Sequence, residues 1–175
     1  DGKPALNSPA NIKSLTVYRD LFQKAAPPGA ADYDWGGREE SFRQGLSANM
    51  QTWSVGAPGY YDPKISKIVG KVGIVPAPRG EGLPKIYGVG GWGLAINADT
   101  KQKDAAWTFI KWITSKPVHK EMNLMGAGSF LRKSEMTDAD LTAKFPFLPV
   151  LAESFEHGDG DYRPRIPEYP KIQDI

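Results

Sequence analysis

The sequence predicts an α/β fold. Three observations predict it: apolar residues recur at helical spacing, short apolar runs stop at proline or glycine, and the two patterns alternate along the chain. The 175 residues suit one domain with a single core, and hydrophobic residues make up 40% of them. The 19 glycines and 15 prolines indicate many turns between the elements.

Two helices are predicted in the first third of the chain. Ser8 is a suitable N-cap for the first, which Pro27 and its neighbours end. Asp34 is a suitable N-cap for the second, in which Phe42 is the buried anchor and Gly45 the stop. The apolar stripe of the first helix consists of Ile12, Leu15, Tyr18, Leu21, Phe22 and Ala25.

Three strands are predicted after these helices. Residues 46–53 alternate loosely between apolar and polar types, and the apolar run at 71–76 stops at a proline. A glycine-rich stretch at 87–93 leads into the third apolar segment, 94–96.

Further helices are predicted towards the end. The segment 105–114 is apolar on more than one face, which is typical of a covered helix. A second helix restarts at Ser115 and closes at Gly126. Residues 137–140 resemble a capping box, a last helix covers 148–158, and the prolines of 162–170 predict an extended tail.

Several classes of function are disfavoured by composition and motif context. The net charge is only +2, which is a poor match for nucleic acid, and the absence of cysteine excludes disulfides and thiolate chemistry. His119 and His157 are expected at the surface, and the acidic pair Glu39 and Glu40 is expected on a solvated helix face. Residues 88–93 match GxGxxG, but a strand rather than a helix is predicted to follow, so a dinucleotide site is not expected.

Aromatic residues beside turns are the main positive signal. Trp35, Trp53 and Trp92 each lie next to turn-forming residues, whereas Trp107 and Trp112 lie in a helix and are expected in the core. A flat apolar ring with neighbouring polar groups is typical of small-ligand clefts and suits the C–H face of a sugar. The other interpretation, that each of these rings only covers a core edge, stays open at this point.

Several short motifs follow one another through almost the whole chain: Leu6-Asn7-Ser8-Pro9, Pro27-Pro28-Gly29, Tyr33-Asp34-Trp35, Gly90-Gly91-Trp92-Gly93-Leu94-Ala95-Ile96-Asn97, Lys103-Asp104-Ala105-Ala106-Trp107, Phe109-Ile110-Lys111-Trp112, Thr114-Ser115, Phe145-Pro146-Phe147-Leu148 and Arg163-Pro164-Arg165-Ile166-Pro167-Glu168-Tyr169. Their order resembles the family 1 extracellular solute-binding proteins of ABC sugar importers, close to the branch that carries polyols and oligosaccharides.

The resemblance implies a periplasmic-binding-protein-like fold of type II, similar to maltose-binding proteins, with a ligand held between two lobes. It also implies that the chain is the C-terminal half of a longer protein. On that basis residues 1–84 and 129–175 belong to the C-terminal lobe, and 85–128 cross over to the N-terminal lobe. Without their usual sheet, the crossover helices are expected to favour self-association.

The resemblance further implies reversible capture of a sugar or sugar alcohol by lobe closure, without catalysis, metal or cofactor. The ligand-binding residues that it implies are Trp53, Trp92, Gly91, Arg163, Arg165, Trp35 and Tyr60. Expected partners are the membrane permease subunits of the importer, and the expected location is the periplasm or the cell exterior, with or without a lipid anchor. Two alternatives stay open: a glycoside hydrolase, which needs two acids across one sugar bond, and a ligand-free structural fragment.

Overall fold

A computed structural model describes residues 7–161 and 165–173 of the chain. It is rich in helix and contains two very short strands. In chain order the elements are α1 (Pro9–Ala25), α2 (Trp35–Arg43), β1 (Tyr87–Gly88), α3 (Lys103–Ile113), α4 (Lys116–Leu124), α5 (Lys133–Met136), α6 (Ala139–Lys144), α7 (Leu148–Glu156), β2 (Gly158–Asp159) and α8 (Tyr169–Gln173). Two 3-10 segments, Ala30–Asp32 and Ser54–Tyr61, flank α2.

Side-chain caps start three of the helices. The Ser8 hydroxyl accepts from the backbone N–H of Asn11, and Asp34 does the same for Gly37 at 2.7 Å, as the sequence predicts. The cap of α6 is Asp138 rather than Thr137, because the Asp138 carboxylate accepts from two backbone amides of the first turn. Gly45 follows α2 with a φ of 76°, a left-handed conformation that favours glycine.

The three predicted strands are wrong in the part of the chain that the structure describes. Residues 46–53, 71–76 and 94–96 carry no strand pairing; the pairing present joins β1 and β2 in parallel, with Tyr87 opposite Gly158. The bonds of this short ladder run from the Tyr87 N–H to the His157 carbonyl and from the Val89 N–H to the Asp159 carbonyl. An apolar run becomes a strand only when a neighbouring strand accepts its backbone hydrogen bonds.

The core joins the second 3-10 segment to the α5–α7 region. Its buried residues are Ala57, Tyr60, Phe130, Met136, Leu141, Phe145, Phe147 and Leu148. Phe130 meets Phe145 and Phe147 edge to face, with ring centroids 5.6 and 5.8 Å apart. Phe42 packs against this cluster but is only half-buried, so the predicted buried anchor is confirmed in position and not in degree. Edge-to-face rings add about 0.5–1.5 kcal/mol per pair beyond their burial.

Two helices stay outside this core. Neither α1 nor α3 contains a buried residue. Trp107 and Trp112 are 53% and 55% exposed, so the prediction that they belong to a covered core helix is wrong within this chain. The apolar pattern was read correctly as helix, but the described residues supply no surface that covers it.

The prediction that both histidines lie at the surface is correct for only one of them. His157 is exposed as expected, but His119 is buried, and its Nδ1 lies 2.5 Å from the Glu135 carboxylate. Asn123, one turn further along α4, exchanges two hydrogen bonds with the backbone of Ser129. These contacts fix α4 against the start of α5, which is a structural role for a histidine that was expected in solvent.

The end of the chain is only partly extended. Residues 162–164 lie outside the described part, and α8 begins at Tyr169, inside the stretch predicted to be extended.

Among the described helices, none has the length and apolar character required to cross a bilayer.

Candidate functional site

A groove with a volume of about 480 Å³ lies beside α2. This volume falls within the roughly 300–1,000 Å³ that is typical of small-ligand sites. The walls come from α1, from the turn before α2, from α2 itself and from the segment that leads to the second 3-10 helix. The lining residues are Tyr18, Phe22, Pro27, Ala30, Tyr33, Asp34, Trp35, Arg38, Ser41, Ser47, Asn49, Met50 and Trp53.

Two of the predicted tryptophans meet at this groove. Trp35 is the first residue of α2, directly after its Asp34 cap, and Trp53 directly precedes the second 3-10 segment. Both residues line the groove, and they are 45% and 62% exposed. The local turns therefore hold two indole side chains at one cavity, and flat apolar side chains of this kind suit stacking on a sugar.

The polar groups of the groove include a carboxylate, a guanidinium and an amide. Asp34 is committed to its cap bond, while the Arg38 Nη2 donates to the Thr52 hydroxyl at 3.4 Å. The Arg38 Nε is buried and has no hydrogen-bond partner among the described residues. Asn49 adds both a donor and an acceptor to the lining. These groups are suited to bonding the hydroxyls of a polar guest.

Arg38 and Asn49 were missed by the sequence analysis. Arg38 follows Trp35 by three residues on α2, and residues at that spacing share one face of a helix. This spacing was the available signal, since a helix that presents Trp35 to a groove presents Arg38 to the same groove. No comparable signal marks Asn49, which lies on an irregular segment.

Tyr60 does not line the groove. It is 2% exposed, its ring meets Phe42 edge to face at 5.2 Å, and its hydroxyl donates to the Glu39 carboxylate at 2.6 Å. Burial, together with that hydrogen bond, raises the pKa of Tyr60 well above its usual value. In this structure Tyr60 packs in the core and holds Glu39 in place.

Three more of the predicted site residues, Gly91, Trp92 and Arg165, are described and do not line the groove. Trp92 is fully exposed, and no atom lies within 4 Å of the position that a Cβ of Gly91 would occupy. Arg165 forms an exposed ion pair with Asp161. Arg163 lies outside the described residues. Of the predicted site residues that the structure describes, Trp35 and Trp53 line the groove, and Tyr60, Gly91, Trp92 and Arg165 do not.

No metal site is evident among residues 7–161 and 165–173, because no group of three histidine or acidic side chains there is placed to hold a metal ion. The groove offers aromatic faces and hydrogen-bonding groups, which are the means of binding a neutral organic solute.

The chain matches a known protein family. The family model for the bacterial extracellular solute-binding protein matches residues 1–120. The chain belongs to this family. An ABC transporter solute-binding protein from Agrobacterium radiobacter K84, solved in complex with ribitol, is 72% identical, with a TM-score of 0.91 over 99% of this chain and 44% of that one.

More distant members of the solute-binding family share the fold. The maltose-bound MalE3 protein of T. maritima is 28% identical with a TM-score of 0.86, over 99% of this chain and 45% of that one. This likeness confirms the predicted type II, maltose-binding-like fold. A probable amino-acid ABC transporter periplasmic-binding protein of Sinorhizobium fredii, y4oP, is 28% identical over 99% of this chain and 37% of its own length. The chain therefore spans less than half the length of these solute-binding proteins.

Proposed function

We propose that this chain is part of the substrate-binding component of an ABC importer, and that it captures a sugar alcohol or sugar reversibly. The observation that carries the proposal is the groove in which Trp35 and Trp53 face one cavity. Support comes from the 72% identity to a solute-binding protein solved with ribitol. No bond of the ligand is broken in this mechanism, so the protein needs no catalytic group.

Binding is driven by two different interactions. The indole faces of Trp35 and Trp53 remove the C–H surface of the ligand from water. Arg38 and Asn49 replace water at its hydroxyls, with a geometry that the helix and the neighbouring turn hold in advance. A polyhydroxylated chain has both kinds of surface, whereas a purely apolar ligand leaves the polar groups unpaired.

Lobe closure completes the site in this proposal. Gly91 and Trp92 approach the ligand from the facing lobe when the two lobes close about a hinge, whereas Arg163 and Arg165 are candidates for ligand contact on the lobe that carries the groove. Residues 1–84 and 129–175 form one lobe, and 85–128 belong mainly to the other. The core supports the grouping of 1–84 with 129–175, because its buried apolar residues fall at 57–60 and 130–148.

The closed, loaded form then docks on the membrane permease of the importer. The family description and the names of the relatives support this partner and a location in the periplasm or outside the cell. A solute-binding protein works by presenting its ligand, so the readout of function is affinity and not turnover.

The test is calorimetric titration of the polypeptide that the gene encodes, with ribitol, mannitol, maltose and a panel of amino acids. Trp53→Ala is expected to weaken polyol binding about tenfold or more, because a stacking face is lost. Trp107→Ala is the matched control: it also removes an exposed tryptophan, but one that does not line the groove. Binding of amino acids alone, hydrolysis of an oligosaccharide, or equal effects of the two variants would overturn the proposal.

A further inference from the structure

A buried carboxylate lies directly behind the groove. Glu39 is 1% exposed, contrary to the solvated position expected for it, and neighbours the groove residue Arg38 on α2. Its Oε2 accepts from the Tyr60 hydroxyl at 2.6 Å, and its Oε1 accepts from the Thr52 hydroxyl. A Cβ at Gly56 would lie 2.5 Å from the Glu39 Oε2, so the glycine allows this close approach. The carboxylate is thus held from several sides.

Thr52 connects this carboxylate to the groove. A threonine hydroxyl carries one hydrogen, and Thr52 spends it on Glu39, so its oxygen can only accept from Arg38. The direction of these two hydrogen bonds is therefore fixed: the Arg38 guanidinium donates to the Thr52 hydroxyl, and the Thr52 hydroxyl donates to the Glu39 carboxylate. Thr52 also precedes Trp53, so the same contacts hold one aromatic wall of the groove near α2.

The balance of charge at the groove follows from this arrangement. Within the described lining, Arg38 is the cation and Asp34 the anion, and Glu39 adds a second negative charge behind Arg38. An arginine without such compensation is a strong receptor for phosphate or carboxylate, because its fork matches their oxygens. Here Asp34 and Glu39 lie close to Arg38 in the structure, and their negative charges weaken its attraction for an anion while its N–H groups can still donate to a ligand hydroxyl.

We propose that Glu39 is a specificity-determining residue that makes the groove select uncharged polyhydroxylated ligands over phosphorylated or carboxylated ones. It acts through Thr52 and Arg38 and does not touch the ligand itself. The inference rests on the proposed function and adds to it the charge class of the ligand. A ligand hydroxyl is bonded, whereas a ligand anion meets two carboxylates for one guanidinium.

The experiment compares ribitol with ribitol 5-phosphate and ribonate by calorimetry at low salt, on the polypeptide that the gene encodes. The wild type is expected to bind ribitol at least about tenfold tighter than either anion. Glu39→Gln preserves the shape of the side chain and removes its charge, and it is expected to shift the ratio about tenfold towards the anions. The ratio is used because a loss of folded protein affects all three ligands equally.

The matched control is Glu40→Gln on the same helix. Glu40 is exposed and pairs with Arg43 at 2.8 Å, so its removal is expected to leave the ratio unchanged. Equal ratios for the Glu39 and Glu40 variants would overturn the assignment of Glu39. If Glu39→Gln fails to fold, Asp34→Asn, which can still cap α2 and removes the other negative charge at the groove, must shift the ratio in the same direction, and an unchanged ratio would overturn the charge argument.

The wild-type measurement separates this inference from the proposed function. Binding of ribitol together with equal or tighter binding of its phosphate overturns the inference and leaves polyol capture intact. Failure to bind any uncharged polyol or sugar overturns the proposed function and the inference with it.

Discussion

The aromatic residues of this chain fall into two regions that differ in what surrounds them. In the α5–α7 region, Phe145 and Phe147 are almost completely buried and pack with other rings. On α3, Phe109 and Trp112 lie 5.8 Å apart in ring centroids but remain more than half exposed. The exposed helix α3 is not poorer in apolar residues than the α5–α7 region, so composition does not explain the difference.

The difference lies in the surfaces available for packing. The α5–α7 region is opposed by the second 3-10 segment, whose Ala57 and Tyr60 complete the core. For α3, the described residues provide the neighbouring α4 and little else, and the 89–97 segment before it is largely exposed. An apolar helix face gains stability only where a second surface removes it from water.

The difference between the two regions is tested most directly by truncating one ring in each of them. Phe145→Ala is expected to lower the free energy of unfolding by about 3–5 kcal/mol, because it opens a cavity in a packed cluster. Phe109→Ala is the control and is expected to change it by less than about 0.5 kcal/mol. Urea denaturation of both variants of this chain measures the two values, and equal losses would show that α3 is packed as well.

The exposed apolar face of α3 is expected to cause association of the chain in solution. We expect this 175-residue chain to self-associate through α3, because the exposed Trp107 and Trp112 gain burial only against another molecule. Trp112→Lys is expected to weaken association about tenfold or more, as measured by sedimentation equilibrium. Thr108→Lys adds the same charge to α3 without removing a ring, and an equal effect from it would attribute the change to charge alone.

The smallest expected effect is the contribution of an ion pair at the edge of the packed region. Lys120 lies 2.9 Å from Asp138, and this contact, with the backbone N–H of Leu141, holds the pKa of Asp138 below its ordinary value of 3.8. A lowered pKa stabilises the fold above that ordinary value, and the stabilisation is lost as the pH falls through the folded-state pKa.

Asp138→Asn is therefore expected to lower the urea midpoint slightly at neutral pH and to have no effect at about pH 2. Asp99→Asn, an exposed acid in a turn, is the control and should change neither midpoint. A loss for Asp138→Asn that persists unchanged in acid would assign the effect to the shape of the cap instead of the charge.

Sequence patterns were sufficient for elements that depend on neighbouring residues. The caps Ser8 and Asp34, and the stop at Gly45, are set by side-chain and backbone chemistry within one helical turn. The tryptophans beside turns belong to the same class, since Trp35 is placed by the cap directly before it. For that reason two of the predicted site residues do meet at one groove.

Patterns failed where a residue's environment comes from distant parts of the chain. Glu39 and Glu40 are adjacent acids on one helix, and only the approach of Thr52 and Tyr60 buries the first and not the second. His119 is buried by contact with Glu135, sixteen residues away in the sequence. No local pattern distinguishes these residues from solvated ones.

Residue types and short spacings were enough to predict the family, the caps of α1 and α2 and the aromatic character of the groove. The tertiary structure alone decided which apolar segments find a partner, which acid stands behind the groove, and how Arg38 is held. Burial and charge compensation are properties of pairs of surfaces, and the energy of such a pair is absent from either segment taken alone.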